Sequence, residues 1–156
     1  MMQRIKEIVG SMMECDFPDD MINIAHNYAA MENHFNHNVM VHRKGATRAR
    51  KDEVGIIPGS QGTKSYIVKG LGNKESFMSC SHGAGRAMGR KQAQRELSLK
   101  EEIKRLDKAG VIHSIRTEKD LDEAPSAYKD IGTVMKNQES LAEILVELTP
   151  LAVIKG

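Results

Sequence analysis

Ile5, Ile8, Val9, Met12 and Met13 recur at helical spacing, which predicts an amphipathic helix over the first fourteen residues. Asp16 to Asp20, with Pro18, breaks it. Asp19 or Asp20 caps a predicted second helix that runs to about Phe35, with Ile22, His26 and Ala29 or Met31 on one side and His34 and His37 at its far end. From Val39 to Ser81 the apolar residues come instead in short runs: Val39-Met40-Val41, Val54 to Ile57, Tyr66-Ile67-Val68 and Phe77-Met78. Gly, Pro, Ser and Asn separate them, a pattern of short strands and tight loops. After Gly83 and Gly85, helical residues return from about Arg86 to Leu97. Ser98 with Glu101 is a capping-box pattern before Ile103 and Leu106, and Gly110 is placed to stop that helix. Val111-Ile112 reads as a short strand and Leu121 to Lys129 as loop around Pro125. Leu141, Ile144, Leu145 and Leu148 predict a last amphipathic helix ending near Pro150, and Leu151 to Ile154 a terminal strand. The expected fold class is α+β: short strands and glycine-rich loops flanked by amphipathic helices, in one unit.

Composition narrows this picture. The chain has 156 residues, 40% of them hydrophobic and 28% charged, which suits one compact domain or a large piece of one. Aromatics are scarce at 4% with no Trp, but the 10 Met residues can fill irregular core gaps. A net charge of +2 does not announce a nucleic-acid binder, so any RNA contact has to come from a local basic patch. Cys15 and Cys80 are too few and too far apart for a disulfide framework or a zinc ribbon and read as reduced thiols. No apolar run reaches the roughly 18–20 residues of a membrane span, and Met1 to Lys6 does not open a signal peptide. A soluble, cytoplasmic protein is expected.

The stretch richest in chemistry is Ser79-Cys80-Ser81-His82-Gly83-Ala84-Gly85-Arg86, followed by Arg90. Its glycines let backbone approach a ligand, and a loop entering a helix offers free N–H groups to a phosphate. Arg86 and Arg90, four apart, would share one helix face beside His82, a nucleophile candidate at a phosphorus centre. The plain alternative is a glycine turn with a solvated histidine and two surface arginines. Val41 to Arg48, which contains Lys44, is basic and glycine-bearing; it suits either a phosphate-holding loop or an ordinary basic surface. Ile57 to Tyr66 is rich in hydroxyls but lacks the Walker A spacing. His26, next to Asn27, reads as a packed or surface residue when taken alone, and the pair His34 and His37 as surface residues.

Taken together and in this order, the runs Ala25-His26-Asn27, Val41 to Arg48, Ile57 to Tyr66, Ser81 to Arg86 and Val153-Ile154-Lys155-Gly156 resemble the C-terminal part of the RtcB family of GTP-dependent RNA ligases. The resemblance covers the chain from about residue 20 onward. It implies that His82 takes GMP as a phosphoramidate, and that His26 is a manganese ligand with Asn27 its active-site neighbour. It implies that Ser60, Ser65, Ala84, Gly85, Tyr128 and Lys155 surround the guanylate. Lys44, Arg86 and Arg90, with Asn27, would serve RNA and its phosphates. GTP is the implied cosubstrate, with two Mn²⁺ ions in the family site. The implied partner is RNA, tRNA halves or a repaired RNA among the candidates, with no membrane.

The same resemblance implies a shortfall. Relatives draw a Cys, an Asp and further histidines for the metals from an N-terminal half, and one histidine cannot hold two Mn²⁺ ions. Residues 1–156 are therefore expected to be the C-terminal portion of a single RtcB-like catalytic domain, completed by a missing half or a split partner. The alternatives are a non-catalytic guanine-nucleotide or RNA-binding remnant and an inert fragment.

Overall fold

The computed structural model of the chain describes residues 2–18 and 21–154. The cap candidates Asp19 and Asp20, and Lys155 of the terminal run, lie outside the described residues.

The first expectation holds: α1 spans Met2–Met13, although none of its side chains is buried. The second does not. Residues 21–26 form no helix, and β1 (Asn27–His34) pairs antiparallel with β2 (His37–Lys44), from Asn27↔Lys44 to His34↔His37. Phe35 and Asn36 make the two-residue turn with φ of 54° and 63°, both left-handed, the twist that a tight hairpin requires. Apolar residues in this stretch are few enough to fit either periodicity, and strand pairing decided between them. His34 and His37, expected at the end of a helix and on the surface, face each other across the hairpin, and His34 is buried.

Beyond the hairpin, β3 (Ala46–Arg48) pairs with β6 (Ser79–Ser81), and β4 (Val54–Ile57), β5 (Ser65–Gly70) and β7 (Ala142–Leu148) form a three-stranded sheet in that order, all antiparallel. β7 replaces the predicted last helix. Leu141, Ile144, Leu145 and Leu148 fit helical spacing, yet β-branched Ile144 and Val146 suit a pleated surface. A register irregularity at Ile67/Val68 disturbs the alternation that would have announced the strand. Two cross-strand ion pairs, Lys69–Glu143 at 2.7 Å and Lys64–Glu147, tie it to its neighbour. Phe77 and Met78, expected in a strand, are a left-handed pair (φ 54° and 49°) leading into β6.

Of the helices that follow, the first is shorter than predicted and the second keeps its expected bounds. α2 is Arg90–Glu96 and α3 is Leu99–Lys108, with the Ser98 side chain accepting from Glu101 N–H as the cap pattern anticipated. Gly110 stops α3 with φ 70°. Two 3-10 turns, Glu118–Glu123 and Pro125–Ala127, occupy the expected loop. α4 (Ile131–Lys136) was not anticipated; Asp130 caps it by accepting from Thr133 N–H at 2.7 Å. The two expected short strands at 111–112 and 151–154 reduce to one parallel bridge, Ile112↔Ala152. No helix among the described residues is long and apolar enough to cross a membrane.

Two apolar clusters hold the body together. Ile57, Tyr66, Val68, Cys80, Ala84, Ile131, Met135 and Ala142 bring β4, β5, β6, β7 and α4 onto one core. Leu106, Val111, Ile115, Leu121 and Ala124 form a second under α3 and the first 3-10 turn. The segment that carries His82 leaves β6 at the rim of the first cluster.

Candidate active site

His82 follows β6 directly and its backbone is held from several sides. Ser81 N–H donates to Gln138 Oε1 (2.9 Å), His82 N–H to Gly45 O (3.4 Å) and Ala84 N–H to Pro58 O (3.0 Å), while Ser81 Oγ donates to Gly83 O (2.6 Å). Gly45, between β2 and β3, has φ 73°, and a Cβ there would lie 3.8 Å from the His82 ring. The His82 imidazole stacks on that of His26, centroids 5.1 Å apart and planes 22° from parallel. Its Nδ1 is buried with no hydrogen-bond partner. His26 itself is exposed, at the start of β1 beside exposed Asn27. Lys44, the register partner of Asn27, is exposed at the same open end of the hairpin.

The hydroxyl-rich loop is folded on itself. Ser65 Oγ accepts from Gly59 N–H at 3.2 Å, and Thr63 Oγ1 accepts from Ser60 N–H at 2.7 Å and meets Ser60 Oγ at 2.9 Å. A Cβ at Gly59 would stand 2.1 Å from Lys64 O, so the loop closes only around glycine. The Ala84–Pro58 bond brings this loop beside the His82 segment.

Arg86 and Arg90 do not share a helix face as the spacing predicted, because α2 begins only at Arg90. The helix-entry N–H groups therefore belong to residues from Arg90 onward and not to the His82–Arg86 turn. Arg86 precedes the helix. Its guanidinium lies over the Tyr128 ring (5.1 Å) and donates to Met88 O (3.0 Å) and Asp122 O. Arg90 pairs with Glu123 at 3.2 Å. Gly85 is left-handed (φ 71°) and its carbonyl accepts from Lys129 N–H, which sets Tyr128 next to the turn.

The Val41 to Arg48 run, expected as one basic loop, is split among different duties. Arg48 grips Glu53 through two nitrogens, at 2.6 to 3.1 Å. Arg43 is 2% exposed and forms a two-pronged pair with Glu32 at 2.5 and 3.0 Å. His34 Nε2 meets the same carboxylate at 2.9 Å. The Arg43 guanidinium, hydrogen-bonded to Glu32, holds the Glu32 carboxyl down at about 2 against the opposing effect of burial. Sequence reasoning missed this group. Arg43 and Glu32 carry no motif, and only strand register shows that both face inward. Cys80, in β6, is pushed up to about 11 by burial, which makes it an inert thiol beside the site.

Among the described residues, no three His, Cys, Asp or Glu side chains gather to hold a metal ion. The His26–His82 pair offers two imidazoles, short of the donor set that a first-row dication takes. These residues alone do not fit the two manganese ions implied by the resemblance.

The family model described as tRNA-splicing ligase RtcB matches residues 1–156. Among curated relatives, the RNA-splicing ligase RtcB of Escherichia coli K12 is 47% identical over 138 residues, covering 86% of this chain and 32% of the relative. The tRNA-splicing ligase RtcB of Nanoarchaeum equitans is 38% identical (86% and 33% covered), and the RNA-splicing ligase RtcB of Mycobacterium bovis 36% (88% and 37%). The chain thus spans about a third of the length of the curated relatives it matches. With the whole chain matched to the family, it belongs to the RtcB family.

Proposed function

We propose that this chain supplies the guanylate-accepting part of an RNA ligase. The ligase joins RNA 3′-phosphate or 2′,3′-cyclic phosphate ends to 5′-hydroxyl ends through a GMP–histidine intermediate on His82. Family membership supports the reaction class. The observation that carries the residue is the His82 ring: stacked on His26, with Nδ1 buried and unpartnered. A proton on that nitrogen leaves the Nε2 lone pair to attack. In this reading the Nε2–P bond forms at the α-phosphorus of GTP as the bond to pyrophosphate breaks. Water first opens a 2′,3′-cyclic end to a 3′-phosphate and frees the 2′-hydroxyl; GMP then passes to the RNA 3′-phosphate, and a 5′-hydroxyl attacks that activated phosphate and releases GMP.

The remaining residues take roles that fit their places. Ser60, Ser65, Ala84 and Gly85 lie on two loops that meet through Ala84 and Pro58, and Tyr128 joins them from a third segment bridged to Arg86, a cradle for the nucleotide; Lys155 is assigned the guanine base. Exposed Asn27 and Lys44, at the open end of the hairpin, meet RNA phosphates. Arg90, exposed and held by one partner, is the freer of the two arginines to join them; Arg86, already bound to backbone carbonyls and Tyr128, shapes the wall. His26 is one metal ligand, and the other donors come from the rest of a complete ligase.

The test is incubation with labelled GTP and Mn²⁺, alone and mixed with the remaining two thirds of an RtcB relative, followed by intact mass and peptide mapping. GMP on His82 in the mixture, lost in His82→Ala with reversible GTP binding kept, is the expected result. An adduct that survives in His82→Ala, or maps to His42 or His26, refutes the assignment. Reversible GTP binding with no adduct in any mixture selects the non-catalytic reading.

A further inference from the structure

We infer that Arg43 is a positioning residue: its guanidinium ties together the three strands that bring His26, the Lys44–Gly45 turn and His82 to one place, and so sets the stacking of the two histidines. The inference rests on the reading of His82 as the guanylate acceptor.

The β1–β2 hairpin shows why such a tie is needed. Its buried side chains are Glu32, His34 and Arg43, all ionisable; Met31 and Met40 are 62% and 52% exposed, Ala30, Val39 and Val41 are half-buried, and Phe35 at the turn meets Phe77 edge-on. At its buried centre the hairpin has no apolar side chain. The ionic group takes that place. A guanidinium has five N–H bonds in a fixed fork. Here Nε donates to Ser79 Oγ (2.9 Å), Nη1 to Glu32 Oε1 (2.5 Å) and Tyr28 OH (3.0 Å), and Nη2 to Glu32 Oε2 (3.0 Å) and Phe77 O (3.0 Å). All five are engaged.

Those partners map onto the site. Tyr28 and Glu32 belong to β1, whose first residue follows His26. Arg43 itself is in β2, next to Lys44 and Gly45, and Gly45 O accepts from His82 N–H. Ser79 opens β6, which runs into His82, and Phe77 leads into that strand. Moving any one of the three strands changes the His26–His82 separation. Stability alone does not call for this arrangement, because apolar residues of similar volume commonly match a buried ion pair in free energy. A lysine keeps the charge but not the fork.

The test compares Arg43→Lys and the double variant Glu32→Gln/Arg43→Met with the wild-type chain. Nuclear Overhauser contacts between the His26 and His82 ring protons are the readout, and core methyl signals from Ile57 and Leu106 report the fold. The inference predicts a folded double variant with native core signals and no His26–His82 contact. It also predicts that, in the mixture with the rest of a ligase, His82 guanylylation at saturating GTP slows by roughly tenfold to a hundredfold with the half-saturating GTP concentration unchanged. The ring contact uses no nucleotide, so its outcome is separate from whether His82 accepts GMP. Persistence of the contact in the folded double variant overturns the proposal. Unfolding of both variants overturns it too, since Arg43 would then serve global stability.

Discussion

Acid should unfasten the hairpin through one carboxylate. Arg43, with His34, Tyr28 and Arg50 as the other titratable or charged neighbours, faces Glu32 and holds its carboxyl at about 2 against an ordinary 4.5. A carboxyl lowered in the folded state stabilises the protein above its unfolded pKa, and that contribution fades as pH falls from about 4.5 toward 2. Its full size is about 3 kcal/mol. Glu32→Gln removes the charge and keeps the shape, so it resembles the wild type with Glu32 protonated. Urea unfolding of both proteins should therefore give a stability gap of about 3 kcal/mol at pH 7, shrinking to less than half by pH 3. Glu53, held low by Arg48 and the Arg50 N–H despite its burial, titrates in both proteins and cancels in the difference. A gap independent of pH, or one that widens in acid, would refute the reasoning.

Two further predictions concern the body of the protein. Leu106 is fully buried in the second cluster, so Leu106→Ala should cost about 2–5 kcal/mol in chemical denaturation, whereas Ile112→Ala, at a side chain 75% exposed, should stay within about 0.5 kcal/mol. A maleimide should label exposed Cys15 in the native protein and reach Cys80 only on unfolding; equal native rates at the two thiols would contradict the burial that raises the Cys80 thiol to about 11.

Local signals were the legible part of the fold. α1, the Ser98 cap and the Gly110 stop each rest on neighbouring residues, and each is present. The runs at Val54–Ile57 and Tyr66–Val68 became β4 and β5, and Val39–Val41 lies within β2. What failed depends on strand partners, one adjacent in sequence and one distant. Asn27–His34 is a strand because His37–Lys44 lies beside it, and Ala142–Leu148 is a strand because β5 offers an edge with Lys64 and Lys69 facing Glu147 and Glu143. β2 follows β1 after only Phe35 and Asn36, a turn with no Gly to announce it, whereas β5 ends at Gly70, far from β7; in both places a short apolar segment satisfies a period of 3.6 as easily as one of 2.

The candidate site divides along the same line. Residues chosen for their type, such as His82, His26 and the Ser60 to Ser65 loop, are brought near one another by β6, the start of β1 and the Ala84–Pro58 bond. Charge, by contrast, is sorted by strand register. Arg43, Lys44 and Arg48 look equivalent in the sequence. Alternation along β2 turns Arg43 inward to Glu32 and leaves Lys44 outside, while Arg48, in β3, finds Glu53 across a turn. A cation already enclosed by a carboxylate cannot bind an RNA phosphate without abandoning it, so of these three Lys44 is the one free to do so. In the proposed reading Arg43 reaches the chemistry only through the strands it fastens, and the single basic run then supplies both a contact for the substrate and a brace for the residues that act on it.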